Sequence, residues 1–423
     1  MTSFNAKTRA ERFDAIVDFA KGSPVDTGFG YLDGDGNVDT SRPVELWITC
    51  RMTHVFSLAS LKGDGEAAKL AAHGVQALST SFHDEEFGGW FSAIGHDAEN
   101  VEIVDGTKAA YAHAFVVLAA SSATVAGIEG AKELLDQALA AQDEIWWEEG
   151  HAKVRESFNR EFTETEDYRG VNANMHTVEA YLAAFDATSD RKWLDRALAI
   201  LDWVLNEQAA GNNWRIPEHY SADWEPIADY NIDKPQDPFR PYGYTPGHGL
   251  EWARLALHAG AELERVGEEA PEWIREDAKQ LVKRAVEDGW NVGGRPGFVY
   301  TVDEEGVPVA RERMHWVLCE AIGAVVTLLK VLKDDPREDE KDFVKWLKPL
   351  TQEFWDFAQR YFIDVIGNWI HELDPFNLPS TNTWPGKPDA YHVAQMLLLP
   401  DLPLAPTFAL ALKQAEKRGA VKG

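Results

Sequence analysis

The chain has 423 residues, 45% of them hydrophobic and 26% charged, which is the composition of a soluble globular protein with room for a large core. Lys and Arg number 41 against 70 Asp and Glu, a formal net charge of −29. Such a surface repels phosphate backbones and anionic lipid, so nucleic acid and membrane are excluded as expected partners. Only two cysteines occur, Cys50 and Cys319, both in apolar helical contexts. No structural disulfide is expected, and a cytoplasmic, reducing setting is the default. Residues 1–7 show no apolar run of signal type, and no segment reads as long and apolar enough to span a bilayer.

Apolar periodicity predicts helices over 7–21, 43–61, 65–83, 107–124, 129–149, 172–187, 190–209, 246–262, 271–290, 312–332, 340–361 and 387–398, with a tail helix over 406–418. Long alternating strands are absent from the pattern. Short aromatic–glycine pieces stand between helices instead: Phe87-Gly88-Gly89-Trp90, Gly297-Phe298-Val299-Tyr300 and Gly367-Asn368-Trp369. These predict hairpin turns or two-residue bridges. The longest irregular span, 211–245, holds Trp214, Tyr220, Trp224 and Tyr230, and so predicts an ordered loop packed over a cavity mouth. The charged run 333–341 predicts a solvated turn. The sixteen Trp and eleven Tyr are many for this length; their plain role is core packing, and amphipathic rings also form platforms for sugars.

Six histidines, His54, His113, His176, His248, His315 and His392, each stand early in a predicted apolar helix, at intervals of roughly 60 to 80 residues. Each interval holds one helix, a loop, a return helix and another loop. The repeat predicts an all-α fold, an (α/α)6 barrel of six helical hairpins with short β-hairpin or loop insertions. One catalytic domain over 1–423 is expected, with six helix starts on one rim.

The run Thr245-Pro246-Gly247-His248-Gly249-Leu250-Glu251-Trp252 is the centre of the chemical reading. Thr245 reads as a helix cap and Pro246 as the first helical residue. His248, Glu251, Trp252 and Leu255 then share one helix face, a histidine beside a carboxylate and an aromatic wall. Taken alone, such a face is more often a buried, hydrogen-bonded histidine than a proton-transfer site. Its recurrence shifts that balance. His54 and His113 have apolar neighbours and read as structural. His176, preceded by Asn172-Ala173-Asn174, and His248 and His392, both following Pro/Gly-rich loops, read as functional. Glu320, inside an apolar run, needs a hydrogen-bonding sugar hydroxyl or a buried cation, and Arg51 is the expected counterpart. No His-Glu-x-x-His, Cys-x-x-Cys, phosphate-binding glycine loop or serine-hydrolase elbow occurs. Acid–base chemistry on a neutral polyol, with no cofactor and no metal, is the remaining expectation. Two carboxylates, Glu251 and Glu320, keep glycoside hydrolysis as a distant alternative.

Phe82-His83-Asp84 with Gly88-Gly89-Trp90, then Tyr111-Ala112-His113-Ala114-Phe115, Asn172-Ala173-Asn174-Met175-His176, the 245–252 run and His392 resemble the N-acylglucosamine 2-epimerase superfamily. Within it the nearest resemblance is to the aldose–ketose isomerases of mannose and related sugars, including the sulfoquinovose isomerase group. It covers roughly residues 8 to 400 and, as a resemblance, implies an (α/α)6 barrel that needs no metal and takes a monosaccharide such as D-mannose or D-fructose. It implies His392 as the base at the C2 proton and His248 as acid–base at the ring oxygen and hydroxyls. Arg51, Tyr111, Asn172, His176, Glu251, Trp316 and Glu320 are implied to hold the sugar or tune the histidines. The linker 380–384 is the expected seat of specificity. Isomerisation and 2-epimerisation both remain open, as do the preferred aldose and the oligomeric state.

Overall fold

The computed structural model describes residues 2–364 and 368–421. Its helices in chain order are α1 (Ala6–Ala20), α2 (Leu46–Leu61), α3 (Gly65–Ser79), α4 (Ala110–Ala126), α5 (Ala131–Ala141), α6 (Val171–Thr188) and α7 (Arg191–Leu201). They continue with α8 (Pro246–Arg265), α9 (Glu272–Gly289), α10 (His315–Asp334), α11 (Lys341–Leu347), α12 (Leu350–Phe357), α13 (Tyr391–Leu398) and α14 (Phe408–Val421). Strands are two or three residues long, and four of them run directly into a helix: 44–45, 108–109, 169–170 and 313–314. Glu45, Ala109 and Met314 are such extended residues, at φ near −100° and ψ near +130°, each turning straight into α2, α4 or α10.

Local chemistry accounts for the ends. Asp64 accepts from the backbone N–H groups of Glu66 and Ala67 at 2.9 and 3.0 Å and so caps α3. Gly127, at φ +79°, closes α4 in the left-handed region that favours glycine. Several predicted boundaries move for physical reasons. The helix expected over 340–361 is broken into α11 and α12, with Pro349, which lacks an N–H, at the joint. The helix expected from 387 starts at Tyr391, after Pro385 and Pro388; Asp389 accepts from the Tyr391 N–H at 2.9 Å. Three predicted helix ends become π-helical turns, at Gln142–Trp146, Asp202–Ala209 and Ala358–Phe362. The aromatic–glycine hairpins form as expected: Trp90 bridges His83, and Phe298 bridges Trp290. Trp369 bridges Ile363, and Gly367 of that predicted turn lies outside the described residues.

The chain divides into two compact units. The first holds Met1–Ile16, Leu201–Gly386 and His392–Ala405; in it α8 packs against α9 and α10, and α10 against α12. The second holds Val17–Ile200, Lys387–Tyr391 and Pro406–Gly423; in it α2 packs against α3 and α4, α4 against α5 and α6, and α14 against α2 and α4.

Two expectations fail within the first unit. Helix α10 is by length and composition apolar enough to cross a bilayer, contrary to the sequence reading, and 78% of its apolar window is buried inside the protein. Its apolar length serves a core. The charged run 333–341 is also more than a solvated turn. Arg275 pairs with Asp335 at 2.5 Å and with the buried Glu340, to which Lys279 adds a bond at 2.7 Å. The span 211–245, by contrast, is ordered as expected. Trp203, Tyr220 and Trp224 form an aromatic cluster with ring centroids 5.1 to 5.9 Å apart, and His219 stacks on Tyr230.

Asp277 on α9 is a buried liability. It is 6% exposed, and its Oδ2 has no hydrogen-bond partner among the described residues. Burial, with Glu276 and Asp202 nearby, pushes its carboxyl up to about 6 from the ordinary 3.8. Between those two values the unfolded chain has released the proton that the folded chain still holds. Stability therefore falls as pH rises through this window, by as much as about 3 kcal/mol, and stays low above it. Asp277→Asn is expected to raise the urea midpoint at pH 7.5 and leave it nearly unchanged at pH 4. Equal effects at both pH values would contradict the assignment.

Candidate active site

In the first unit, α8 presents His248, Glu251 and Arg254, α10 presents Trp316 and Glu320, and α13 presents His392. Helix α8 starts as the sequence predicts, with Pro246 in its first turn, but the Thr245 hydroxyl makes no capping bond. The backbone carries the cap: the Thr245 carbonyl accepts from the His248 N–H at 3.0 Å. Gly247 is required by crowding, because a Cβ there would stand 2.6 Å from the Trp316 ring and 2.7 Å from Val317. That closeness sets the Trp316 indole beside the His248 imidazole, with centroids 5.2 Å apart. The same indole lies 5.8 Å from the His392 ring, tilted by 33°.

Each of these two imidazoles is backed by a buried carboxylate. His248 Nδ1 lies 2.9 and 3.0 Å from the two oxygens of Glu218. His392 Nδ1 lies 2.9 Å from Glu320 Oε1. An ionised carboxylate only accepts, so Nδ1 carries the hydrogen in both rings. Glu320 Oε2 accepts from Arg254 Nε at 2.8 Å, and the other end of that guanidinium is 3.6 Å from Glu251. Glu251, Glu320 and His392 bring ligating atoms within 4.8 Å of one another, a grouping with the donor types of a metal site. Arg254 supplies positive charge to both carboxylates of that grouping.

The expected Arg51–Glu320 pair is therefore wrong on both sides. Glu320 is held by Arg254 and His392. Arg51, in the second unit, donates to Asp389 at 3.1 Å and to the Tyr111 hydroxyl at 3.0 Å. Its guanidinium lies among the rings of Trp47, Phe115 and Tyr391, 4.5 to 5.0 Å from their centroids. Burial works against its charge, and Tyr111, Asp389 and Tyr391 more than restore it, so Arg51 stays cationic. His176 stands edge-on to Tyr111 at 5.2 Å and against Phe115 at 4.6 Å. Its Nδ1 is 3.8 Å from Glu179, the carboxylate one turn further on, and Glu179 accepts a hydrogen bond from the Tyr391 hydroxyl. Of the two neighbouring asparagines, Asn174 is committed to the backbone of Val154 and Gly170. Asn172 keeps a buried side-chain oxygen without a partner among the described residues, as a ligand-binding amide would.

The remaining histidines divide as follows. His113 accepts from the Trp90 N–H at Nε2 and donates to the Ala109 carbonyl at Nδ1. Burial lowers it to about 3, so it is a neutral structural residue. His54 bonds Ser122 at 2.7 Å, and burial lowers it to about 4. It sits in the middle of α2 rather than early in it. His315 stacks on His371 with centroids 3.8 Å apart. Glu218 and Arg254 in the first unit, and Asp389 and Tyr391 in the second, are partners of candidate residues that the sequence did not single out. Arg254, three residues beyond Glu251 in an apolar helix, carried a usable signal, as did Asp389 two residues before a helix start.

The linker 380–384 is tied down by Glu372, whose carboxylate accepts from the N–H groups of Thr383 and Trp384 at 2.7 Å each and from the Ser380 hydroxyl. Trp384 in turn meets Phe239, from the 211–245 loop, edge to face at 5.1 Å.

The chain is 48% identical over 400 residues to a D-mannose isomerase of Thermobifida fusca, with 94% of each chain covered. It superposes on a crystal structure of a D-mannose isomerase with a TM-score of 0.84 at 27% identity, covering 94% of this chain and 98% of that one. A cellobiose 2-epimerase from Bacillus thermoamylovorans B4167 matches at a TM-score of 0.76 and 19% identity over 93% of this chain and 98% of that one, which speaks to fold alone. The mainly helical fold is of the (α/α)6 class expected from the histidine repeat. The model of the family described as N-acylglucosamine 2-epimerase matches residues 28–396, and the chain belongs to that family.

Proposed function

We propose that this protein interconverts D-mannose and D-fructose without a metal, with His392 and His248 as the acid–base pair. The observation that carries the reading is the pair of imidazoles, each backed at Nδ1 by a buried carboxylate and both lying against the Trp316 indole. The D-mannose isomerase activity named for the Thermobifida fusca relative supports it.

Aldose–ketose exchange needs ring opening, removal of the proton alpha to the aldehyde and its return to C1. In this reading His392 Nε2 takes the C2 proton to give a cis-enediolate and returns a proton to C1. His248 Nε2 moves protons at the ring oxygen and the adjacent hydroxyls. Each such group contributes about 10²–10⁴ in rate. The Glu320 carboxylate stabilises His392 as it becomes imidazolium, and Arg254 holds the other oxygen of Glu320 at 2.8 Å. Trp316 supplies an apolar face for the sugar. Arg51, Tyr111, Asn172, His176 and Glu251 complete the proposed set, as groups that hold hydroxyls or tune the histidines. Hydrolysis needs two independent carboxylates, whereas Glu251 and Glu320 face one shared guanidinium.

The test is D-mannose in deuterated buffer with EDTA, followed by NMR. Fructose carrying deuterium at C1 is the expected product. Glucose as the direct product would replace the reading with 2-epimerisation. No turnover of mannose alongside turnover of sulfoquinovose would move it to that sugar.

A further inference from the structure

Glu218 has a second side. The carboxylate that backs His248 also lines a pocket of about 290 Å³, together with Glu207, Gln208, Pro217, Ala228 and Tyr244. His248 is not among its lining residues, whereas Glu207 and Ala228 are exposed. Glu218 itself is buried, with both oxygens engaged by His248 Nδ1, and the Thr245 N–H adds a bond at 3.3 Å. A buried carboxylate that bridges an imidazole and a partly polar pocket with room for several waters has the parts of a proton relay. His219 also lines the pocket; its Nε2 is engaged with the Pro241 carbonyl at 2.8 Å, and burial lowers its basicity, which leaves Glu218 as the group in line with His248.

We propose that Glu218 is a positioning and proton-relay residue, which passes the Nδ1 proton of His248 to water in this pocket and takes it back. The inference rests on His248 acting as an acid–base group. When His248 Nε2 accepts a proton from a sugar hydroxyl, the ring becomes imidazolium. Its Nδ1 proton moves to the Glu218 carboxylate, and Glu218 releases a proton to pocket water. Imidazole and carboxylate are then back in their starting charge states, with the ring in the other tautomer. The reverse transfers reset the ring as Nε2 gives its proton to the product oxygen. Between the two halves the sugar oxygen carries the negative charge and pocket water the proton; over the full cycle no net charge is left, and His248 exchanges with solvent while a bound sugar covers Nε2.

Three variants test this, with turnover by the wild-type protein established first. Glu218→Gln keeps an acceptor for Nδ1 but cannot carry a proton. It is expected to lower kcat by about 10–100-fold, the scale of a partner that backs a functional histidine, with KM little changed. Glu218→Ala is expected to be as slow and to regain activity when sodium formate is added, because formate reaches the vacated place through the pocket. Ala228→Trp, at an exposed position outside the site, narrows the pocket. It is expected to slow exchange of the His248 Nδ1 hydrogen with water, read by NMR in the free protein. Wild-type kcat in Glu218→Gln, no formate rescue of Glu218→Ala, or unchanged exchange in Ala228→Trp overturns the relay. The exchange measurement needs no substrate, so it separates this inference from the sugar assignment: a wild-type protein inactive on mannose counts against that assignment alone.

Discussion

His392→Asn is expected to lower kcat on the sugar by about 10³-fold, within the range for loss of a carbon-acid base, while the protein keeps its fold and its substrate affinity. The imidazole is buried, but its role is local. Its Nδ1 meets Glu320 at 2.9 Å, and asparagine is of similar size and presents a donor to the same carboxylate. What asparagine lacks is a group that accepts a proton near neutral pH. The same substitution at His248 is expected to cost less, because protons on oxygen can be moved by water and neighbouring hydroxyls whereas a proton on carbon cannot. The measurement is kcat and KM for both variants with thermal melts alongside. A His392→Asn protein that retains turnover within about tenfold of wild type would place the C2 base elsewhere, since one base is worth at least about 10².

Arg254→Met should be the most destabilising single change at the site. The guanidinium is 1% exposed, with Nε 2.8 Å from Glu320 and NH2 3.6 Å from Glu251. Methionine matches the aliphatic stem but removes the charge shared by two buried carboxylates. Breaking a buried ion pair from one side costs about 3–5 kcal/mol, because the partner is left charged in a poor solvent. Urea unfolding at pH 7.5 reads the loss. Lowering the pH should recover part of it as the stranded carboxylates take up protons. A change below about 1 kcal/mol would mean that other donors compensate Glu320 and Glu251, contrary to the role given to Arg254. Gly323 carries a related constraint, since a Cβ there would meet the Arg254 side chain at 3.2 Å and Leu399 at 2.9 Å.

What the sequence by itself determined was local and periodic. The 3.6-residue spacing of apolar residues located the helices, from α1 through α14, because each helix must bury one face and that demand is written along consecutive turns. The histidine repeat and the 245–252 run located His248 and His392, and the i, i+3 relation placed Glu251 on the His248 face of one helix. Boundaries slipped where a competing local rule acted, as at Pro349 and before Tyr391.

Only the tertiary structure decided the partners. Glu218 meets His248 across 30 residues of sequence, Arg254 meets Glu320 across 66, and Glu320 meets His392 across 72. Arg51 meets Asp389 across 338. Arg51 and Glu320, each in an apolar helix, both require compensation, and the sequence alone joins them to each other. Burial requires that a charge have a counter-charge, but it does not say which one. That choice follows from which helix faces which and from the direction in which each side chain leaves its helix. Both are set by the packing of whole elements, a long-range property that no window of the chain contains.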